Sequence, residues 1–425
     1  MIRRVRPLFL PLMALLACGD SGPSDTAQGE RRADAGIEAE SKVQSTPADL
    51  PQGLLIAISK FERRDNKPIP LSELMLLWRE GGEWKTQVVE DPESNVFHKA
   101  MVYTPPGGEP GVLTFGGTEA VVKFWRKGEG GLVPVETLWK EDFGGKFSRM
   151  REGEIGDVFG DGTPTIVVVT HDQGVIGLLR PKEGGGHELT RLDEQKDIWI
   201  HEAELGDLDG DGVMEIYATP SEPNRLDGTH QKGEVVRYVP AKDEGRTLVA
   251  DLGDRHAKEI LVEDVDGDGR DELYVSIEAA EGGSLEIRRF DADTAPGEGF
   301  TIATLRDPMA RFLTAGDIEG DGTKEMIVAA KDSGLWLLRA GDDPRGRWSA
   351  KLVDGKSKGF EHAALFADLD ADGTDELYVA SDDHKTINRY VWNGTKLVKE
   401  TILERTSPLP IFTWNLMPVP VEVIR

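Results

Sequence analysis

The sequence predicts an all-β chain: a seven-bladed β-propeller of four-stranded antiparallel blades, with the ring closed by the C-terminal strand. Three observations predict it. An acidic loop recurs with its first Asp at 157, 207, 264, 317 and 368, at spacings of 50, 57, 53 and 51 residues. A period near fifty with β-rich content points to a propeller or solenoid. An apolar strand carrying an arginine recurs seven times, ending at or holding Arg79, Arg126, Arg180, Arg237, Arg289, Arg339 and Arg389. An orphan strand, IFTWNLMPVPV at 411–421, follows the last repeat.

The N-terminus stands apart from the repeats. Arg3, Arg4 and Arg6 precede PLFLPLMALLA, an apolar run too short and wrongly flanked to span a membrane, so residues 1–17 read as an export signal. It ends in Leu15-Leu16-Ala17-Cys18, which resembles the lipobox of bacterial lipoproteins. The resemblance implies cleavage before Cys18, a lipid on its sulfur and an acylated amino group, and two or three acyl chains anchor stably. Cys18 is the only cysteine, so no internal disulfide can form. Gly19 after it points, by the same resemblance, to the outer membrane, facing the periplasm or the surface. Residues 18–51 are polar and small and bury too little to fold, which makes them the lipidated Cys and a disordered tether.

The propeller is expected over 52–425. GLLIAISKF at 53–61 reads as a second strand, so the first blade lacks its innermost strand and 411–421 supplies it. Closure by both termini removes exposed sheet edges. FHKAMVY at 97–103 is the next inner strand, and its loop TPPGGEPG has no repeat carboxylates. The acidic loops are followed by TIVVVT, EIYATP, ELYVSI, EMIVAA and ELYVAS, all strand-like. The arginine strand comes third in each blade, then a turn and a fourth strand such as KTQVVE, SAKLVD or VKETIL. Asn393-Gly394 suits a two-residue hairpin turn. Trp78, Trp84, Trp125, Trp139, Trp336 and Trp348 fall on outer strands or turns and read as blade packing.

Fifty Lys and Arg against 77 Asp and Glu give a net charge of −27, which repels nucleic acid and anionic lipid and suits cations. The loops show how. Asp207, Asp209 and Asp211 alternate, Gly212 permits a sharp turn, and Glu215 completes an oxygen cage with a backbone carbonyl. The pattern repeats in Asp264, Asp266, Asp268 and Glu272, and in Asp368, Asp370, Asp372 and Glu376. Asp317, Glu319, Asp321 and Glu325 keep it with a longer third ligand. Asp157 and Asp161 remain where Phe159 and Thr165 replace two carboxylates, so that site is expected to be weak. Flexible oxygen shells favour Ca²⁺ over Mg²⁺, here in a structural role with affinity on the order of 10⁻⁴ to 10⁻³ M. The units GDLDGDGVMEIYA, EDVDGDGRDELYV and ADLDADGTDELYV resemble the FG-GAP/VCBS repeats of integrin-α propellers and many bacterial surface proteins. That resemblance implies structural cations on the lower face and leaves function open, because the family is functionally mixed.

Six residues before each first Asp stand Arg151, His201, Lys258, Arg311 and His362, with His98 in the matching place of the degenerate unit. This is the start of the inner strand, at the channel rim opposite the cation loops. Two readings stay open. The ring binds an anionic sugar, a carboxylate or a metal, or its members pair with Glu152, Glu202, Glu259 and Glu361 and tie blades together. No carboxylate pair, Ser-His-Asp set or zinc spacing marks catalysis. The function expected is a lipid-anchored, calcium-stabilised envelope protein that binds a glycan or protein. The alternatives are a lyase-like enzyme acting on acidic polysaccharide through His98, His201 and His362, and a scaffold subunit of an envelope assembly.

Overall fold

The computed structural model describes residues 46–425 except 66, 96, 145–147, 224, 226–227 and 408. The signal segment, Cys18 and the tether up to residue 45 lie outside the described residues. The described residues form seven four-stranded antiparallel sheets. Their innermost strands are Ile411–Pro420, Phe97–Tyr103, Met150–Gly156, Trp199–Gly206, Ala257–Glu263, Ala310–Gly316 and His362–Ala367. Each inner strand touches the next, and the last touches the first, so the sheets close into a ring of blades.

Position within the blade sets the sequence of each strand. The second strands lie between neighbouring blades and are buried on both faces, so TIVVVT, ELYVSI, EMIVAA and ELYVAS read as unbroken apolar runs. The fourth strands form the outer edge: Ser349–Asp354 is mostly exposed, and Leu397–Glu404 exposes a central Lys399-Glu400-Thr401 run. The helical pieces among the described residues are Pro240–Lys242 and Val421–Ile424, and none is long and apolar enough to cross a membrane. Val423 and Ile424 fold back to seal the core between the first two blades.

Ring closure follows the expected route. Ile411–Pro420 pairs with Gln52–Lys60, from Gln52 opposite Pro420 to Lys60 opposite Ile411. The packed chain begins earlier than residue 52. Leu50 is buried, Asp49 Oδ1 accepts the Gly81 N–H at 2.7 Å, and the Ala48 carbonyl accepts the Gly82 N–H at 2.9 Å. The turn at Asn393-Gly394 is shifted by one residue. Gly394 and Thr395 form its centre, because the Asn393 N–H donates to the Lys396 carbonyl at 3.1 Å and Asn393 Oδ1 accepts the Thr395 and Lys396 N–H groups at 3.1 and 3.0 Å.

The Gly before the first loop Asp has a packing reason. A Cβ at Gly316 would sit 2.6 Å from Phe366 Cβ, and one at Gly206 would sit 2.2 Å from Val262 Cγ1, each on the next blade. Blades approach too closely there for a side chain. The junction is completed by Asp375 Oδ2, which accepts the Asp317 N–H at 2.9 Å, and by Asp271 Oδ2, which accepts that of Asp207 at 2.7 Å.

Candidate functional site

The acidic loops share one internal geometry. In each, the first Asp accepts the N–H of loop position 6: Gly162 to Asp157 at 2.7 Å, Gly212 to Asp207 at 2.6 Å, Gly269 to Asp264 at 2.9 Å, Gly322 to Asp317 at 2.7 Å and Gly373 to Asp368 at 2.9 Å. The Asp at position 5 accepts the N–H two residues on, as Arg270 to Asp268 at 3.0 Å. Positions 4 and 6 are left-handed, and Gly fills both in four loops. The exception is Ala371, at φ 59°. Ala371→Gly is therefore expected to stabilise the protein by about 1 kcal/mol, read as a raised urea midpoint.

Three loops gather their carboxylates. Asp207, Asp209 and Asp211, then Asp264, Asp266, Asp268 and Glu272, then Asp368, Asp370 and Asp372 each bring one oxygen per residue within 4.8 Å of the others. These are oxygen-only sets suited to a hard cation. Glu215 and Glu376, expected as fourth ligands, stand outside their clusters. Each is buried, accepts a hydrogen bond from the Tyr two residues on (Tyr217, and Tyr378 at 3.0 Å), and ion-pairs with the blade's arginine. The loop at 317 does not gather, because Glu319 turns to Arg339 at 2.6 Å. In the weak loop, Asp161 pairs with Arg180 at 2.7 Å.

The recurring arginine therefore serves the loops. Arg289 meets Asp266 at 2.6 Å and Glu272 at 3.2 Å, and Arg389 meets Asp370 at 3.3 Å and also Glu376. Where carboxylates are missing, Arg126 donates to the Glu109 carbonyl at 3.3 Å and Arg79 to that of Pro47 at 2.9 Å, still at the first loop or the chain beside it. Burial pushes Glu272, Glu325 and Glu376 up to about 7 against the pull of Arg289, Arg339 and Arg389. The loops thus carry a built-in counter-charge on one side.

At the other end of the inner strands lies a ring of β-bulges. Pairing skips one residue at His98, Arg151, Lys258 and Arg311, and at the His201-Glu202 step. A bulge re-aims side chains, so the basic residue and the glutamate after it are both turned from simple alternation. The closing strand has the same bulge at Trp414, which takes the rim place in the first blade. His362 pairs regularly with Ser381 and has no bulge. It stays fully buried, with Nε2 2.8 Å from Ser357 Oγ and Nδ1 3.1 Å from the Ala330 carbonyl. Its expected place on an open rim is corrected: it is a structural histidine.

The other rim residues divide. Arg311 Nη2 donates to both carboxylate oxygens of Glu361 of the next blade, at 2.7 and 2.8 Å, as the blade-tying reading expects. Lys258 pairs within its own blade, with Glu278 at 2.9 Å. His201 packs against His171, centroids 4.5 Å apart, and burial holds it well below the usual imidazole range. His98, Arg151 and Arg311 line a central cavity of about 150 Å³ together with Trp414; His201, Lys258 and His362 do not. Among the described residues Arg151 has no carboxylate partner; its guanidinium lies 5.6 Å from the Trp414 ring. His98 sits 4.9 Å from the same ring with Nδ1 unpartnered.

Deeper in the cavity stand residues that sequence reading set aside or assigned to blade ties. Lys99 binds Glu152 at 2.7 Å and also Glu154, and burial notwithstanding these carboxylates hold it well above its ordinary range. Glu202, Glu204 and Glu259 line the same space. Glu259 Oε1 accepts the Leu313 N–H at 3.1 Å, while the carboxylates of Glu202 and Glu204 face Lys99 without a direct hydrogen bond or ion pair among the described residues. Burial and the neighbouring carboxylates hold Glu202 well above the usual range, and Glu259 is pushed up to about 8. Trp414 and Lys99 were missed because their signal is the bulge, which shifts register without changing composition.

No protein-family model matches the chain, and no curated protein matches it. Solved structures do. A protein from Lactobacillus plantarum aligns with TM-score 0.51 and 10% identity over 87% of this chain and 99% of its own. A 6-phosphogluconolactonase-like protein from Bacteroides uniformis aligns with TM-score 0.51 and 12% identity over 88% of this chain and 100% of its own. At such identity the likeness shows the propeller fold alone.

Proposed function

We propose that this protein is a calcium-stabilised, lipid-anchored binding protein of the bacterial cell envelope, built on FG-GAP/VCBS-type repeats, with the propeller as its recognition head. The observation that carries the binding reading is the channel mouth. Arg151 stands beside Trp414 and His98 without a carboxylate partner. Arg151 is half-buried and forms no ion pair, with Glu361, Glu202 and Glu152 facing it only at longer range, and a ligand's anionic group would give it a direct partner. Calcium is supported by the three loops whose carboxylates converge. The anchor is supported by Leu15-Leu16-Ala17-Cys18, and the outer-membrane placement by Gly19. The polysaccharide-active alternative loses two of its three histidines from the cavity, since only His98 lines it.

The test is binding of the full-length protein to a panel of envelope glycans and peptides in calcium and in chelator. Saturable binding that Arg151→Met weakens by about tenfold or more supports the reading. Binding to no panel member, or binding indifferent to Arg151→Met, contradicts it.

A further inference from the structure

The cavity's charges are spent unevenly. Lys99 is consumed by Glu152 and Glu154, and Arg311 by Glu361. What is left unpaired is one cation at the mouth, Arg151, and beneath it Glu202 and Glu204, with Glu259 holding a single backbone N–H. Glu202 is only 8% exposed, and its carboxylate has no direct hydrogen bond or ion pair among the described residues. These uncommitted charges have opposite sign and share one cavity, with Glu202 facing Arg151. Along the strands, Glu202 and Glu259 follow the rim positions His201 and Lys258 by one residue, which is about 3 Å of axial depth. Glu204 lies two residues further, about 7 Å deeper.

We propose that the central channel binds a small zwitterion of the amino-acid type, its carboxylate on Arg151 beside Trp414 and His98 and its ammonium among Glu202, Glu259 and Glu204. This rests on the binding reading above and names the ligand class. Arg151 and Glu202 face each other across one small cavity, which suits the short separation of charges in an α-amino acid. Cavity volume fits the size: about 150 Å³ is the space that accepts one benzene-sized ring, and a small amino acid fills it. A lone carboxylate would satisfy Arg151 but leave the deeper acids as they are, and a lone amine would do the reverse.

Binding carries a proton balance. Burial and mutual repulsion keep Glu202 and Glu204 well above the usual carboxylate range. These acids face one another, Glu152, Glu259 and Lys99, Glu204 also faces Glu154, and Glu259 also faces Arg311 and Arg151. An arriving ammonium stabilises the carboxylate form and displaces a proton to solvent, leaving an ammonium–carboxylate pair.

The experiment is isothermal titration of the full-length protein with the common amino acids, using lactate, glucuronate and ethylamine as ligands bearing one of the two charges. At least one amino acid is expected to bind saturably, about tenfold or more tighter than any single-charge ligand. Its heat should change between buffers of low and high ionisation enthalpy, reporting proton release. Arg151→Met and Glu202→Gln should each weaken it by about tenfold or more, with Glu204→Gln as the second acidic variant if Glu202→Gln does not fold. Binding of no amino acid, or of lactate or glucuronate as tightly as the best amino acid, overturns the proposal. If the glycan and peptide panel still binds while amino acids fail, the zwitterion assignment alone falls; if both fail, the binding reading falls with it.

Discussion

Arg311→Leu is expected to cost about 3–5 kcal/mol of folding stability. Arg311 and Glu361 are both buried, their side chains 4% and 1% exposed, and their ion pair spans two blades. Burial opposes the charge on Arg311, and Glu361 outweighs that opposition. Removing the guanidinium strands a carboxylate inside the ring, where solvation cannot reach it. The informative control is Arg311→Leu with Glu361→Leu. Replacing both charges by packed apolar groups should restore most of the loss, because the penalty comes from the orphaned charge. Chemical denaturation of the three proteins checks this. A double variant as unstable as the single one would mean that the pair's shape, and not its charge balance, holds the blades.

Arg289→Met should cost about 3 kcal/mol in chelator and clearly less in millimolar calcium. Arg289 is 4% exposed and neutralises Asp266, Glu272 and Asp291 together. Without it, four gathered carboxylates, Asp264, Asp266, Asp268 and Glu272, face each other without their main counter-charge. A divalent cation then has more to gain, so calcium should bind this loop more tightly and offset much of the loss. Urea midpoints in chelator, calcium and magnesium read the effect. Equal loss in all three would mean that the loop does not hold a cation even when its arginine is gone.

Much of this was legible in the sequence because the repeats carry two independent periodic signals. Asp-Gly loops and arginine strands fixed the blade period, and the orphan strand at 411–421 gave the closure. The link between those signals was harder to see. That Arg289 answers Asp266, or that Tyr274 donates to Glu272 at 2.9 Å, depends on the third strand reaching back to the first loop. The clue was present as a lone cation recurring in register with an acidic repeat, and as Glu-x-Tyr, whose members share a strand face. The channel was less legible still. Strict alternation cannot place Arg151 and Glu152 on the same wall; a bulge can, and its residue types, His, Arg, Lys and Trp, share no composition. His362 held the same place in the repeat as its counterparts, but its glutamate precedes it where Glu152, Glu202 and Glu259 follow theirs, and it lacks that bulge.

The most direct test of the account is a thermal melt of the full-length protein across a calcium titration from chelator to millimolar, with magnesium as control. With three occupied loops, each at about tenfold its dissociation constant, binding contributes about 4 kcal/mol. With an unfolding entropy of about 2.1 cal/mol/K per residue, that predicts a calcium-specific rise in Tm of about 5 °C. A Tm that does not move, or moves equally with magnesium, would contradict the account and leave the loops as turns neutralised by their arginines alone.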